Sequence, residues 1–222
     1  MFLERSDYMP SWGIHFATAK RVNELIKLDE NQFLFGNILP DLPNGYLIPE
    51  IQFQKSYNET HYIDCGCDNY LNLPKIPNSN SFYNQYKAHF ENAVIVGYYV
   101  HLLTDQYWNT EFINRYVTWG VDVCFNTVKQ LDFCLFEQYL IKHKCISTPI
   151  YEHKLIEKTA ELFPLNKEDL KRTFSYIEKK YSSGSFEQKP LEYNLIPEKE
   201  LLSIYDGCIK FILNQFEIIS GN

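Results

Sequence analysis

GYYVHLLTDQYWN, residues 97–109, places His101 and Asp105 four residues apart inside an otherwise apolar and aromatic run. Residues at i and i+4 share one face of an α-helix, so the imidazole and the carboxylate point the same way. Two polar groups side by side in a helix bound for a core are costly unless something binds them. Neutral imidazole and ionised carboxylate are both zinc ligands, which makes a metal ion one natural occupant. On this stretch alone, a core histidine hydrogen-bonded to its neighbouring carboxylate explains the pair as well.

The segments around it read as helices joined by polar loops. Residues 12–28 have helical periodicity, with Ile14, Ala17, Val22, Leu25 and Ile26 on one broad stripe and Ser11 as N-cap after Pro10. A short helix is predicted over 30–38, stopped by Pro40. Residues 41–80, rich in Asn, Gly and Pro, read as a long loop region with one short helix around His61. Further helices are predicted over 81–90, 92–107, 121–142, 150–162, 167–181 and 197–219, with 180–190 as a polar connector. Apolar runs such as GYLIP (45–49) are too brief to build a sheet. The expected fold class is all-α, in a single domain spanning 1–222.

Composition excludes several functions. The 222 residues are 45% hydrophobic and 16% aromatic, ample for a core and contrary to long disorder. A net charge of −7 with no Lys/Arg block disfavours binding to duplex nucleic acid, which needs a basic face. No apolar run approaches the roughly 20 residues of a transmembrane helix. The start, MFLERSDYMPSWGIHF, lacks a basic stretch followed by an apolar one, so no signal peptide is read and the expected location is cytoplasmic. The cysteines (Cys65, Cys67, Cys124, Cys134, Cys145, Cys208) contain no C-x-x-C pair and are expected to be free thiols, with Cys65-Gly66-Cys67 awkwardly spaced for a disulfide.

Three other motifs carry residues of the same chemistry. In FGNILPDLPNGY (35–46), Gly36 and Asn37 read as turn formers and Asp41 follows Pro40. Alone, this Asp is a turn cap. His61 in NETHYID (58–64) is, alone, a solvated loop histidine, and His15 in SWGIHFATA is a half-buried histidine beside Trp12. Together, His15, Asp41, His61, His101 and Asp105 form a nitrogen and oxygen donor set without cysteine. That is the makeup of a hydrolytic zinc site, where a carboxylate bridges ions and open positions hold water. H-E-x-x-H, E-x-x-H, adjacent His-Asp, P-loop, Rossmann and G-x-S-x-G patterns are all missing from the chain.

W-G-x-H (12–15), F-G-N-I-L-P-D-L (35–42), T-H-Y (60–62) and G-Y-Y-x-H-L-L-T-D (97–105) occur in an order that resembles the bacterial zinc-dependent phospholipase C family, closest to its small, non-secreted members. The resemblance covers residues 9–110 and implies an all-helical phospholipase C or single-strand nuclease-like domain. It implies that Asp41, His61, His101 and Asp105 hold one Zn²⁺, with Asp105 bridging to a second ion also held by His15, and Asp41 as a base. The implied reaction is attack of metal-bound water on a phosphate ester, a small phosphoester or a phospholipid headgroup.

Two departures stand out. Secreted members ligate metal through an N-terminal Trp, whereas Trp12 is internal. For the family's third ion, Glu111 occupies the place of a histidine, and the H-x-x-x-E pair His153/Glu157 comes much further downstream than the pattern has it. His89 and His143 are read as ordinary surface or core residues. The alternatives are a metal-stabilised helical binding protein without catalysis, and a nuclease-like phosphodiesterase whose aromatic residues stack bases.

Overall fold

The computed structural model describes residues 10–45, 48, 51–63, 74–116, 123–182 and 192–221. All regular structure among these is helical: α1 (Trp12–Ile26), α2 (Glu30–Ile38), a 3₁₀ turn (Leu42–Asn44), α3 (Tyr57–Thr60), α4 (Ser79–Tyr86) with a 3₁₀ turn (Lys87–His89), α5 (Ala93–Tyr116), α6 (Val123–Lys142), α7 (His153–Ala160), α8 (Lys167–Ser182) and α9 (Glu198–Ser220). No described helix is long and apolar enough to cross a membrane. Cys134, Cys145 and Cys208 are free thiols; Cys65-Gly66-Cys67 and most of the 180–190 connector lie outside the described residues.

Helix α5 is the hub, packed by α1, α2, α4 and α9. Every residue from Ala93 to Asp105 is buried, so this helix presents no solvent face over that length. It runs on past residue 107 to Tyr116, because Trp108 and Phe112 continue the buried side through an otherwise polar sequence.

The α2–α5 crossing is unusually close, and glycine permits it. A Cβ at Gly97 would fall 2.9 Å from the Phe33 carbonyl carbon and 3.0 Å from the Asn37 nitrogen, with the Phe33 oxygen nearer still. A Cβ at Gly36 would likewise strike the Val94 backbone, 2.7 Å from its carbonyl carbon. Gly36 and Asn37 are therefore not turn formers: both lie inside α2, one as a contact residue and the other as a hydrogen-bond hub. Asn37 Nδ2 donates to the Gly97 carbonyl at 3.3 Å.

Helix α1 is enclosed all round from Trp12 to Ala19 and becomes amphipathic only afterwards. Leu25, expected on the apolar stripe, is 52% exposed. The helix stops at Ile26 because Lys27 turns left-handed at φ 60°, and Asn23 binds both the N–H and the carbonyl of Leu28. Ser11 holds the N-cap position, yet its hydroxyl makes no capping bond. The Gly13 N–H instead donates to Glu137 Oε2 on α6 at 3.4 Å, and Lys180 on α8 pairs with that carboxylate at 2.7 Å. The start of α1 is thus held from α6 and α8.

Two buried carboxylates pin connectors in the same manner. Asp132 accepts the backbone N–H groups of Asn194, Leu195 and Ile196, each at 2.8 Å, fixing the approach to α9. Asp169 accepts those of Gln52 and Phe53, fixing that segment against α8. Desolvated carboxylates satisfied by several amides are compatible with a dry interior.

Burial also sets an alkaline limit on stability. Burial pushes Tyr98 well above the ordinary phenol range and Tyr99 up to about 12. The unfolded chain releases these protons near pH 10, so the stability they contribute is complete below that pH and is lost as pH rises through the folded values. Tyrosinate absorbance should therefore stay incomplete at pH 11 while helical circular dichroism persists, then rise together with helix loss. Full ionisation of all 17 tyrosines in a still-helical protein would contradict this.

Candidate metal centre

Four elements converge on one buried cluster. Helix α1 supplies His15, the residue before the first 3₁₀ turn supplies Asp41, the C-cap of α3 supplies His61, and α5 supplies His101 and Asp105. Their exposures are 2%, 1%, 0%, 0% and 0%. His15 is therefore not half-buried and His61 is not a solvated loop residue. Asp41 occupies the N-cap position of its 3₁₀ turn without capping it, because its carboxylate faces the cluster.

The hydrogen bonds fix which atoms face inward. His101 Nδ1 lies 2.7 Å from the Asn37 carbonyl. A carbonyl only accepts, so Nδ1 carries the proton and Nε2 presents a lone pair. His61 Nδ1 contacts the Tyr57 carbonyl at 3.2 Å and Thr60 Oγ1 at 2.9 Å, which assigns it the same tautomer. The two Nε2 atoms then face each other at 3.2 Å, acceptor against acceptor.

The carboxylates repeat this pattern. Trp12 Nε1–H donates to Asp41 Oδ2 at 2.9 Å, and Tyr57 O–H donates to Asp105 Oδ2 at 3.0 Å. Oδ1 of each aspartate is buried without a hydrogen-bond partner, as are both ring nitrogens of His15. His15 Nε2 sits 3.1 Å from Asp105 Oδ1, at ion-pair distance but off hydrogen-bond geometry. His61 Nε2 lies 3.3 Å from Asp105 Oδ2 and 3.6 Å from Asp41 Oδ1. Asp105 therefore addresses His15 with one oxygen and His61 with the other. The His15 and His101 rings stack at 4.0 Å, bringing the two halves together.

Electrostatics follow from this enclosure. Burial, reinforced by His15, pushes His101 well below the usual imidazole range, leaving the ring neutral. Burial works against charge on Asp105, but the surrounding imidazoles outweigh it and hold its pKa below the carboxylate range. Burial raises Asp41, with Asp105 adding to the rise and His61 opposing it.

Buried polar atoms normally find partners. A concentration of inward-facing acceptors with few donors fits a cation, and the donor set is one that zinc accepts. Among the described residues, two groupings bring one donor atom per residue within 4.8 Å of one another: His15, His101 and Asp105, and Asp41, His61 and His101. The structure thus brings all five sequence-predicted residues together and links the groups through His101.

The residues considered for a third ion go elsewhere. His153 and Glu157 are exposed on α7, and Glu111 pairs with Arg115 at 2.8 Å, which also holds Glu200 at 2.9 Å. His89 and His143 are exposed. Three supporting residues escaped the sequence analysis: the Trp12 indole, the Tyr57 hydroxyl and the Asn37 carbonyl. Tyr57 precedes His61 by four residues, the same spacing that marked His101 and Asp105, and was the readable one.

Comparison with models of protein families, with curated proteins and with solved structures returns no match.

Proposed function

We propose that the chain is a metal-dependent phosphoesterase with a site like that of the zinc-dependent phospholipase C family. One or two divalent ions, Zn²⁺ by donor chemistry, would be held by His15, Asp41, His61, His101 and Asp105. The observation supporting this is the inward-facing acceptor set: two Nε2 lone pairs 3.2 Å apart beside two carboxylates whose Oδ1 atoms lack hydrogen-bond partners. On the family's pattern Asp105 would join Asp41, His61 and His101 as a full set for one ion, whereas the His15 side has fewer protein donors, the open arrangement associated with hydrolysis.

A divalent ion in such a site offsets phosphate charge and lowers the pKa of a water it holds towards about 7. The chain's own part is positional. The Trp12 indole fixes Asp41 Oδ2 and leaves Oδ1 facing the cluster, and the Asp41 carboxylate is the group we assign to accept the proton released in hydrolysis. Tyr57 and Asn37 orient Asp105 and His101 from behind. The substrate class is a small phosphomonoester or phosphodiester, including a phospholipid headgroup.

A second reading, a metal-stabilised helical domain without catalysis, draws on the burial of all five side chains at 2% exposure or less. Metal analysis of the purified chain beside Asp105→Asn and His101→Ala tests the shared premise. Wild type should carry one or two ions per chain and each variant clearly fewer; equal contents would remove the site from consideration. Nitrophenyl phosphomonoesters and phosphodiesters then separate the readings. Turnover that falls about 10²–10⁴-fold in Asp41→Asn supports the hydrolase, in line with loss of a general base. Metal without turnover supports the second reading.

A further inference from the structure

The five donor side chains are closed to solvent, and so are most of the groups that bond to them. Trp12 on Asp41, Asn37 on His101 and Thr60 on His61 are all buried. Tyr57 differs: it is half-buried, and among these described contacts it is where the cluster comes nearest to solvent.

Two contacts hold the Tyr57 side chain over the cluster. Its O–H donates to Asp105 Oδ2 at 3.0 Å, and its ring stacks on His61 with centroids 3.7 Å apart. The ring therefore covers one donor while the hydroxyl grips another. The backbone around it is fixed by other bonds. The Lys55 N–H donates to the Pro43 carbonyl at 2.8 Å, the Tyr98 hydroxyl to the Thr60 carbonyl at 2.7 Å, and the Asn78 N–H to the His61 carbonyl at 3.2 Å. None of these involves the Tyr57 side chain, so a turn about its χ1 leaves His61 in place. Uncovering the cluster from the opposite side would mean moving α1, which is enclosed from Trp12 to Ala19.

We propose that the Tyr57 side chain is a latch over the metal-competent cluster. The cluster is closed while the phenol bonds to Asp105, and a turn of the ring away from His61 admits the ion and, beside it, a small phosphate ester. The inference rests on the metal reading of the cluster and not on catalysis. A residue that only orients Asp105 would alter how tightly an ion is held. A latch alters how fast it passes in both directions, because the same bond closes the empty and the loaded chain.

Zinc uptake by the chelator-stripped full chain, followed with a zinc-sensitive dye, and extraction from the loaded chain by excess chelator test this. Tyr57→Phe keeps the ring and loses the bond to Asp105. Both rates should rise about tenfold, the scale of one hydrogen bond to a charged group, and the affinity should stay within about threefold. Tyr57→Ala removes the cover as well and should raise both rates further. Trp12→Phe takes a comparable bond from Asp41 but from a buried side chain, and should speed extraction alone. Tyr57→Phe deletes one oxygen from a half-buried residue, so it remains informative if the alanine variant unfolds. Unchanged rates in Tyr57→Phe, faster extraction without faster uptake, or equal acceleration of both rates in Trp12→Phe would each overturn the latch and leave the metal reading standing. A wild-type chain that takes up no zinc would overturn both.

Discussion

Prolonged chelation should lower the melting temperature of the metal-loaded chain by about 8–16 °C. A ligand present at a thousand times its dissociation constant stabilises the folded state by about 4 kcal/mol, and 1 kcal/mol corresponds to roughly 2–4 °C in a chain of this size. The physical reason is local. Without a cation, His61 and His101 present lone pairs to each other at 3.2 Å, and Asp41 and Asp105 lie against them in a region closed to water. A divalent ion would turn each of these repulsions into a bond, and the unfolded chain, with donors spread from residue 15 to 105, has no preformed site to compete. Asp105→Asn should remove most of the chelator's effect, because Asp105 faces His15 and His61 at once. Scanning calorimetry with and without chelator checks both. A melting temperature unchanged by chelation and by added zinc would sink the metal reading.

Gly97→Ala should destabilise the chain by more than the usual 1–3 kcal/mol of an overpacked core and lower the melting temperature by about 10 °C or more. The new methyl group meets the backbone of Phe33 and Asn37, not a movable side-chain end. Backbone within a helix yields only if the whole helix shifts, so α2 would have to move away from α5. The shift would stretch the Asn37–Gly97 hydrogen bond and the Asn37–His101 bond that sets the histidine tautomer. Metal content should therefore fall along with stability. Gly207→Ala is the control: its Cβ would meet the outer end of the Tyr107 side chain, which can rotate away. Comparable losses in both variants would show that the α2–α5 contact is not special.

Much of this architecture was readable from sequence because helices write their periodicity locally. The 30–38 helix has its predicted bounds, and α6, α8 and α9 lie within a residue or two of theirs. Misplacements occurred where a distant residue overrides a local signal. Residues 150–152 look helical, but Asn31 captures the Ile150 N–H and carbonyl and the Glu152 carboxylate, so α7 starts only at His153. Ser11 looks like a cap, but Glu137, 124 positions from Gly13, takes the amide. Gly36 looks like a turn former, and only the nearness of the Val94 backbone explains its presence inside a helix. The metal-competent residues were legible because histidine and aspartate in apolar surroundings are chemically conspicuous. Of their supports only Tyr57, four residues before His61, leaves a readable signal: a backbone carbonyl at Asn37 leaves no trace in the residue type.

The burial of the five donor side chains has a kinetic consequence. An ion enclosed by residues at 0–2% exposure would exchange only when part of the helix assembly opens. Its release would then be a unimolecular event whose rate is set by the opening of α1 or of the segment from Asp41 to His61, and raising the chelator concentration beyond a threshold would no longer hasten it. Loaded and empty chains would coexist as separate, slowly interconverting populations, and each molecule's history of metal encounter at folding would persist long after the surrounding solution had changed.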